Sequence, residues 1–485
     1  MKVAVIGSGI GGLASAIRLA TKGHKVAVFE AASSPGGKLS EIKNKGYRFD
    51  AGPSLFTLPT LVDELFELAG ENPREHFNYE KLPIVCNYFY PDGTEFSAFA
   101  DQENFIHELS NKLGEKESSL RKALHNSKEL YDTLADLFVY SSLQDIRTFL
   151  SKKAFSAYAK IPFLGFTKTM SKANEQLFEN SKTVQFFNRF ATYNGSDPYK
   201  TPATMNIIPH LEMGIGAFFP KGGMYSIPHS LYELAKRQGV IFHFNSPVDH
   251  ILLNDKKAIG IRSNNADHHF DRIVSNVDVV NTYKHLLPSI NPPKLIVNQP
   301  KSSSALIFYW GVKKQFKKLD LHNIFFSKDY ELEFDHIFNR GSIFEDPTIY
   351  VNISSKNNAI DAPNYGENWF TMINVPNNQG QDWDLLIAQA RANMVKKLST
   401  ILKVDLESLI ETEDILEPRS IESRTGSSLG ALYGNSSNNL FAAFLRHANV
   451  SKRVKNLYFC GGSVHPGGGI PLSLSSAKIM AKYFR

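Results

Sequence analysis

Six residues near the amino terminus supply the first chemistry in this sequence. Gly7-Ser8-Gly9-Ile10-Gly11-Gly12 follows a short apolar run and opens a stretch of helical spacing, which is where a glycine-rich turn can hold a pyrophosphate. Gly7 permits the tight turn, Gly9 lets main chain approach phosphate oxygens, and Gly12 allows close packing of helix on strand. Ser8, Ile10 and Gly11 complete the loop, and the first N–H groups of the helix face the anion. Glu30 stands 18 residues after Gly12, where its carboxylate accepts from an adenosine ribose hydroxyl. The same acid repels a 2′-phosphate, which disfavours NADP and leaves NAD and FAD open. Pro35-Gly36-Gly37-Lys38 then adds permissive backbone and a cation, suited to the second part of a large phosphorylated cofactor.

Other reactive-looking groups fall away on context. Gly426-Ser427-Ser428-Leu429-Gly430 matches a nucleophile-elbow pattern, yet charged residues precede it and no helical pattern follows, so a hydrolase is rejected. His465 is a candidate acid or base, with a ring satisfied by backbone as the plainer reading. No group of His, Asp and Glu has metal-ligand spacing. Cys86 and Cys460 form no C-x-x-C, which excludes a cysteine-based metal site or relay and points to a reducing, cytoplasmic setting.

The elements that position the glycine loop are legible. Lys2–Ile6 (KVAVI) reads as a buried parallel strand, and Ile10, Leu13, Ala14, Ile17 and Leu19 recur at helical spacing up to a stop at Gly23. Lys25–Phe29 (KVAVF) is a second strand, so the opening residues form one βαβ unit. Residues 105–180 turn to long, charged, helix-forming stretches. Strand signals return at 240–244, 272–275 and 304–312, helical patterning at 383–402, and a last helix at 472–484. Without repeats or an obvious linker, this alternation predicts interleaved domains.

A length of 485 residues suits two or three such domains, and 42% hydrophobic with 21% charged residues excludes disordered and disulfide-scaffold classes. Phenylalanine is plentiful, 35 residues against 19 Tyr and 3 Trp, which predicts apolar surface beyond the needs of polar aromatic contacts. The net charge of +6 is too small for a nucleic-acid partner and fits an anionic membrane surface or a phosphate-bearing ligand. Residues 1–16 resemble a secretory signal only until their glycines are counted, and 456–477, uncharged but rich in Gly and Pro, is no membrane span.

The order GSGIGG, Glu30, PGGK and Gly46-Tyr47-Arg48-Phe49-Asp50-Ala51-Gly52-Pro53-Ser54 resembles the FAD-dependent carotenoid desaturases, the phytoene-desaturase family within the amine-oxidase-like flavoproteins. Further motifs keep that family's order: Pro220–Met224, Pro247-Val248, Ser275-Asn276-Val277-Asp278, Asp346-Pro347, Asp361-Ala362-Pro363, and residues 461–471 (GGSVHPGGGIP). The resemblance implies that the βαβ unit and PGGK bind the ADP part of FAD and that Gly52, Pro53 and Ser54 adjoin the cofactor. It places backbone near Val248 by the adenine, and Gly461, Gly462, Gly469, Ile470 and Pro471 by the ribityl and isoalloxazine. Arg446-His447 departs from the family's Arg-Pro at that flank. Asp50–Phe56, Asp63–Phe66, Tyr90-Pro91-Asp92-Gly93 and Phe99-Ala100-Asp101 are more similar to the bacterial hydroxycarotenoid 3,4-desaturases than to phytoene desaturases.

The fold class implied is α/β, a Rossmann-like FAD-binding domain of the amine-oxidase and phytoene-desaturase type (1–70, 222–295 and 415–485). It is interleaved with a mixed-sheet substrate domain (71–104, 191–221 and 296–414) and a helical, membrane-facing region (105–190). Within that region, residues 151–172 (SKKAFSAYAKIPFLGFTKTMSK) interleave lysines with aromatics, as a bilayer surface requires. A long polyene is costly to hold in water, at about 0.8 kcal/mol per CH₂, so its enzyme must collect it from lipid at the inner face of the membrane. Phe218, Phe219 and the 304–312 strand are expected to line its tunnel. The expected reaction is FAD-dependent dehydrogenation of a C–C bond beside the polyene, most specifically 3,4-desaturation of a hydroxylated carotenoid such as a hydroxy-γ-carotene, with oxygen or a quinone as electron acceptor. No catalytic side chain stands out. The alternatives are a phytoene desaturase, a flavin amine oxidase, and a carotenoid or flavin carrier without turnover.

Overall fold

A computed structural model describes residues 1–143, 148, 167–439, 442 and 445–484. The amino-terminal βαβ unit forms as its sequence requires: strand Lys2–Ile6, helix Ile10–Ala20 and strand Lys25–Phe29, the strands parallel and in register from Lys2 against Lys25. They join a five-stranded parallel sheet in the order Leu457–Phe459, Arg272–Ser275, Lys2–Ile6, Lys25–Phe29, Ile241–His243. Side chains alternate across a strand, which explains why KVAVI is apolar throughout. Val3 and Val5 pack under the helices Ile10–Ala20, Ser226–Arg237 and Ile470–Ala481, while Ala4 and Ile6 meet a three-stranded antiparallel sheet through Ile251, Ala258 and Ile261.

A second, seven-stranded sheet runs in the order Ile410–Leu416, Ser304–Val312, Glu367–Val375, Ile349–Asn352, His322–Phe325, Ile84–Phe89, Glu95–Phe99. Its neighbours are antiparallel except His322–Phe325 against Ile84–Phe89. One face of its centre (Leu306, Phe308, Trp310, Trp369) is sealed by helix Trp383–Leu402, which Asp382 caps. The opposite face carries Ala305, Ile307, Tyr350, Phe370 and Met372 and bounds a cavity. Helices Gln102–Leu113, capped by Asp101, and Glu117–Phe138 pack against the other end of this sheet and beside that cavity.

Every described phenylalanine is buried or half-buried, many in one aromatic cluster of Phe96, Phe105, Phe186, Phe187 and Phe190. These rings are consumed by packing two sheets and a helical layer, while Phe155, Phe163 and Phe166 of the stretch expected to face a bilayer lie outside the described residues. Most of the lysine- and aromatic-rich stretch, residues 151–166, lies outside the described residues. Among the described residues no helix is long and apolar enough to cross a membrane.

Candidate functional site

The cradle is built by three turns pressed together. Gly36 donates its N–H to the carbonyl of Ser8 at 3.0 Å, tying the PGGK turn to the first glycine loop. Gly12 sits so close to the start of that loop that a Cβ there would lie 2.0 Å from the carbonyl oxygen of Gly7. The carboxyl-terminal turn closes from the far side: a Cβ on Gly11 would stand 3.0 Å from Gly461, and Gly462 packs against Gly468. Asn276, in the Ser-Asn-Val-Asp motif, wedges between Gly9, Gly11 and Gly461.

Two helices point unprotected N-termini at this cradle. Ile10–Ala20 begins at Gly9 and Ile470–Ala481 at Gly469; neither has a capping side chain or an acidic residue in its first turn, so their leading N–H groups are free for an anion. Glu30 ends the second strand, its Oε2 accepting from the Ser8 N–H at 2.7 Å and hydroxyl at 2.8 Å, and its Oε1 from the Ala32 N–H at 2.8 Å. Lys38 is half-buried and donates to the carbonyls of Leu432 at 2.7 Å and Ala431 at 3.2 Å. Burial pushes its ammonium down to about 8, against the opposing pull of Asp278. Val248 lies outside the cavity wall; its neighbour Ser246 donates its N–H to the Glu30 carbonyl at 2.8 Å.

Glu30, Gly37, Lys38, Gly52, Pro53, Ser54, Gly469, Ile470 and Pro471 line a single cavity of about 700 Å³ that continues between the two sheets. Away from the cradle its wall turns apolar: Leu55, Val85, Leu134, Ile207, Ile307, Ile324 and Met372. Of the 304–312 strand only Ala305 and Ile307 reach it, and Phe218 and Phe219 do not. Those two rings belong instead to a short strand paired with Tyr79–Lys81, where Phe218 stacks edge-on against Tyr79.

Three titratable groups on this wall are held neutral. Burial, reinforced by the Arg189 charge, lowers His322 to about 3; burial lowers His465 to about 4 and raises the Cys86 thiol to about 12. Acidic and basic residues also line it: Glu30, Lys38, Arg424 and a buried pair, Arg189 to Glu212 at 2.6 Å, with the Arg189 guanidinium over the rings of Phe190 (4.2 Å) and Tyr88 (5.1 Å). Tyr193 also donates to Glu212. His465 donates Nε2–H to the Ser141 carbonyl at 2.7 Å, which leaves a bare Nδ1 without a partner among the described residues, beside the glycine cradle. The Arg446-His447 departure costs the turn no order: the Arg446 guanidinium donates to the carbonyls of Tyr433 and Asn435, and His447 pairs with the Tyr283 hydroxyl at 3.0 Å.

Sequence reasoning missed the groups that come together only across strands. His322, Tyr350, Arg189 and Glu212 carry no motif, and their sole signal is a polar residue inside an apolar run. The scattered motifs do converge: Arg48 reaches Asp50 at 2.8 Å and Asp361 at 3.3 Å, and Asp50 accepts the N–H groups of Met224 at 2.8 Å and Tyr225 at 3.0 Å.

Comparison with known proteins agrees with this geometry. Residues 10–348 match the family of flavin containing amine oxidoreductases. A 1-hydroxycarotenoid 3,4-desaturase of a Flavobacterium species is 50% identical over 480 residues, covering 99% of this chain and 98% of that protein. A 4,4'-diapophytoene desaturase (4,4'-diaponeurosporene-forming) of Staphylococcus haemolyticus is 30% identical, covering 99% and 98%. Among solved structures, an oxidoreductase from Methanosarcina mazei superposes with a TM-score of 0.62 at 17% identity, covering 98% of this chain and 99% of that one. Putrescine oxidase bound to putrescine gives 0.63 at 13% identity, covering 100% and 99%; both likenesses establish the fold.

Proposed function

The chain belongs to the flavin containing amine oxidoreductases and, within them, to the carotenoid desaturases, and from that premise we propose that it is a 1-hydroxycarotenoid 3,4-desaturase. The observation that carries this reading is the continuity of a dinucleotide cradle with a cavity whose far wall is apolar. The cradle fits FAD, because main chain approaches where a Cβ would intrude, two helix N-termini are uncapped, and an acid stands at the ribose position. In this reading Gly7–Gly12, Glu30, Gly36, Gly37 and Lys38 hold the ADP part. Gly52–Ser54, Gly461, Gly462 and Gly469–Pro471 hold the ribityl and isoalloxazine, and Val248 adjoins the adenine. Bound there, FAD supplies the acceptor for a hydride leaving C3 or C4 of the carotenoid.

The chain's own residues orient the substrate and keep water out. The Ala305, Ile307, Phe370 and Met372 face lays a flat apolar floor for a polyene, and neutral His322 and Cys86 add no charge to it. His465 offers its bare Nδ1 to the proton that must leave the neighbouring carbon. An amine oxidase is disfavoured because the aromatic cluster suited to a substrate cation is filled by the protein's own Arg189, already paired with Glu212.

The division into a discontinuous FAD domain (1–70, 222–295, 415–485), a substrate domain (71–104, 191–221, 296–414) and a helical region (105–190) is part of the same proposal. So is peripheral attachment to the inner face of the membrane from the cytoplasm, with oxygen or a quinone reoxidising the flavin. What supports attachment is the substrate's insolubility and the apolar side chains of Leu134, Phe138, Val139 and Leu143 on the cavity wall. Expression in a host that accumulates defined carotenoids, followed by pigment analysis, tests the reading. A 1-hydroxylated carotenoid should gain the 3,4 double bond; colouring of phytoene instead would make the chain a phytoene desaturase.

A further inference from the structure

Resting on that reading, we propose that His322, held by Tyr350, is the group that recognises the substrate hydroxyl. Strand His322–Phe325 pairs antiparallel with Ile349–Asn352 so that His322 stands opposite Asn352. Tyr350 and Asn352 are two residues apart and share a face, so all three side chains meet on one side of the sheet. The Asn352 amide donates to the Leu321 carbonyl at 3.1 Å and its N–H group stands 3.2 Å from His322 Nδ1, which disfavours a proton on that nitrogen and leaves its one lone pair to the nearer Tyr350 hydroxyl. The Tyr350 hydroxyl therefore donates to Nδ1 at 2.7 Å and accepts from Ser54 at 2.8 Å. The neutral ring then carries its proton on Nε2, a buried donor of a cavity-wall residue with no partner among the described residues. A buried donor left unpaired calls for an explanation, and on a cavity wall a ligand oxygen supplies one.

The position fits the chemistry of the substrate. A hydroxyl on C1 is three bonds from C3, so its recognition group must stand beside the reacting bond rather than at the far end of the cavity. The chain Ser54, Tyr350, His322 meets that condition, because Ser54 lies in the same Gly52–Ser54 turn that lines the cavity with Gly469 and Ile470. A neutral N–H donor selects an uncharged oxygen and has nothing to offer an unsubstituted hydrocarbon end. Tyr350 is a positioning residue: it fixes the tautomer of His322.

The test uses FAD-loaded enzyme and two chains, a 1-hydroxylated carotenoid and the same carotenoid without the hydroxyl. Flavin reduction rates and dissociation constants from flavin fluorescence quenching are measured for each. The wild type should prefer the hydroxylated chain in kcat/KM by about 10- to 100-fold. In His322→Leu the ratio should fall towards one, with the loss also visible in the dissociation constant; His322→Gln, which keeps an N–H donor, should restore part of it. Tyr350→Phe should give an intermediate ratio. If His322→Leu keeps its FAD and the wild-type ratio, the inference is wrong while the desaturase reading stands. A wild type that treats the two chains alike also overturns the inference alone, and one whose flavin is reduced by neither overturns both.

Discussion

Glu30 and Gly12 do different work in the cradle, and the difference is measurable. Glu30 is a charged acceptor whose Oε2 takes two bonds from Ser8 and which faces the cavity, so Glu30→Ala removes both the ribose contact and the anchor of the first loop. Titration of apoprotein with FAD should show affinity weakened by about 10- to 100-fold, the worth of a hydrogen bond to a charged group. Gly12 acts by having no side chain: any Cβ would collide with the Gly7 carbonyl, so Gly12→Val should abolish FAD retention rather than weaken it. At His465 the fixed tautomer leaves one free lone pair. His465→Asn should slow flavin reduction more than it weakens carotenoid binding, a split read in single-turnover experiments.

Elements explain both what could be read in advance and what could not. Strands buried on both faces, Lys2–Ile6 and Ser304–Val312, are continuous apolar runs and stand out in the sequence, as does the long helix Trp383–Leu402. The last helix begins at Ile470 rather than 472 because Pro471 is tolerated in a first turn, whose N–H groups need no intrahelical acceptor. The order of the seven-stranded sheet was not legible, since His322–Phe325 pairs with Ile84–Phe89 across more than two hundred residues. The His322 and Tyr350 pairing depends on that register and was invisible with it. Motifs such as Arg48-Phe49-Asp50 were visible but unexplained until Asp50 was seen to hold the Met224 and Tyr225 N–H groups while pairing with Arg48. Asp50→Ala leaves Arg48 and two amides short of an acceptor and should lower unfolding stability by about 3 kcal/mol, measured by denaturant titration of the holoprotein.

Across the whole molecule, histidines buried in the neutral form make the fold sensitive to acid. His322 is lowered to about 3, and His447 and His465 to about 4, chiefly by burial. An unfolded histidine takes a proton near 6.5, so below that pH the unfolded chain binds protons that the folded one refuses. The stabilisation is complete above about pH 6.5 and is lost as pH falls towards 4, at up to about 1.4 kcal/mol per pH unit for each histidine. Thermal melts from pH 7.5 to 5 should fall in temperature, and replacing any one of the three with Gln should flatten the slope. An apolar cavity opening from a flavin cradle is the central claim, and anaerobic mixing of the FAD-loaded protein with a 1-hydroxylated carotenoid tests it most directly. The flavin absorbance should bleach while the carotenoid spectrum shifts to longer wavelength as its conjugation grows. Bound pigment beside a flavin that stays oxidised would contradict the account and leave a carrier in its place.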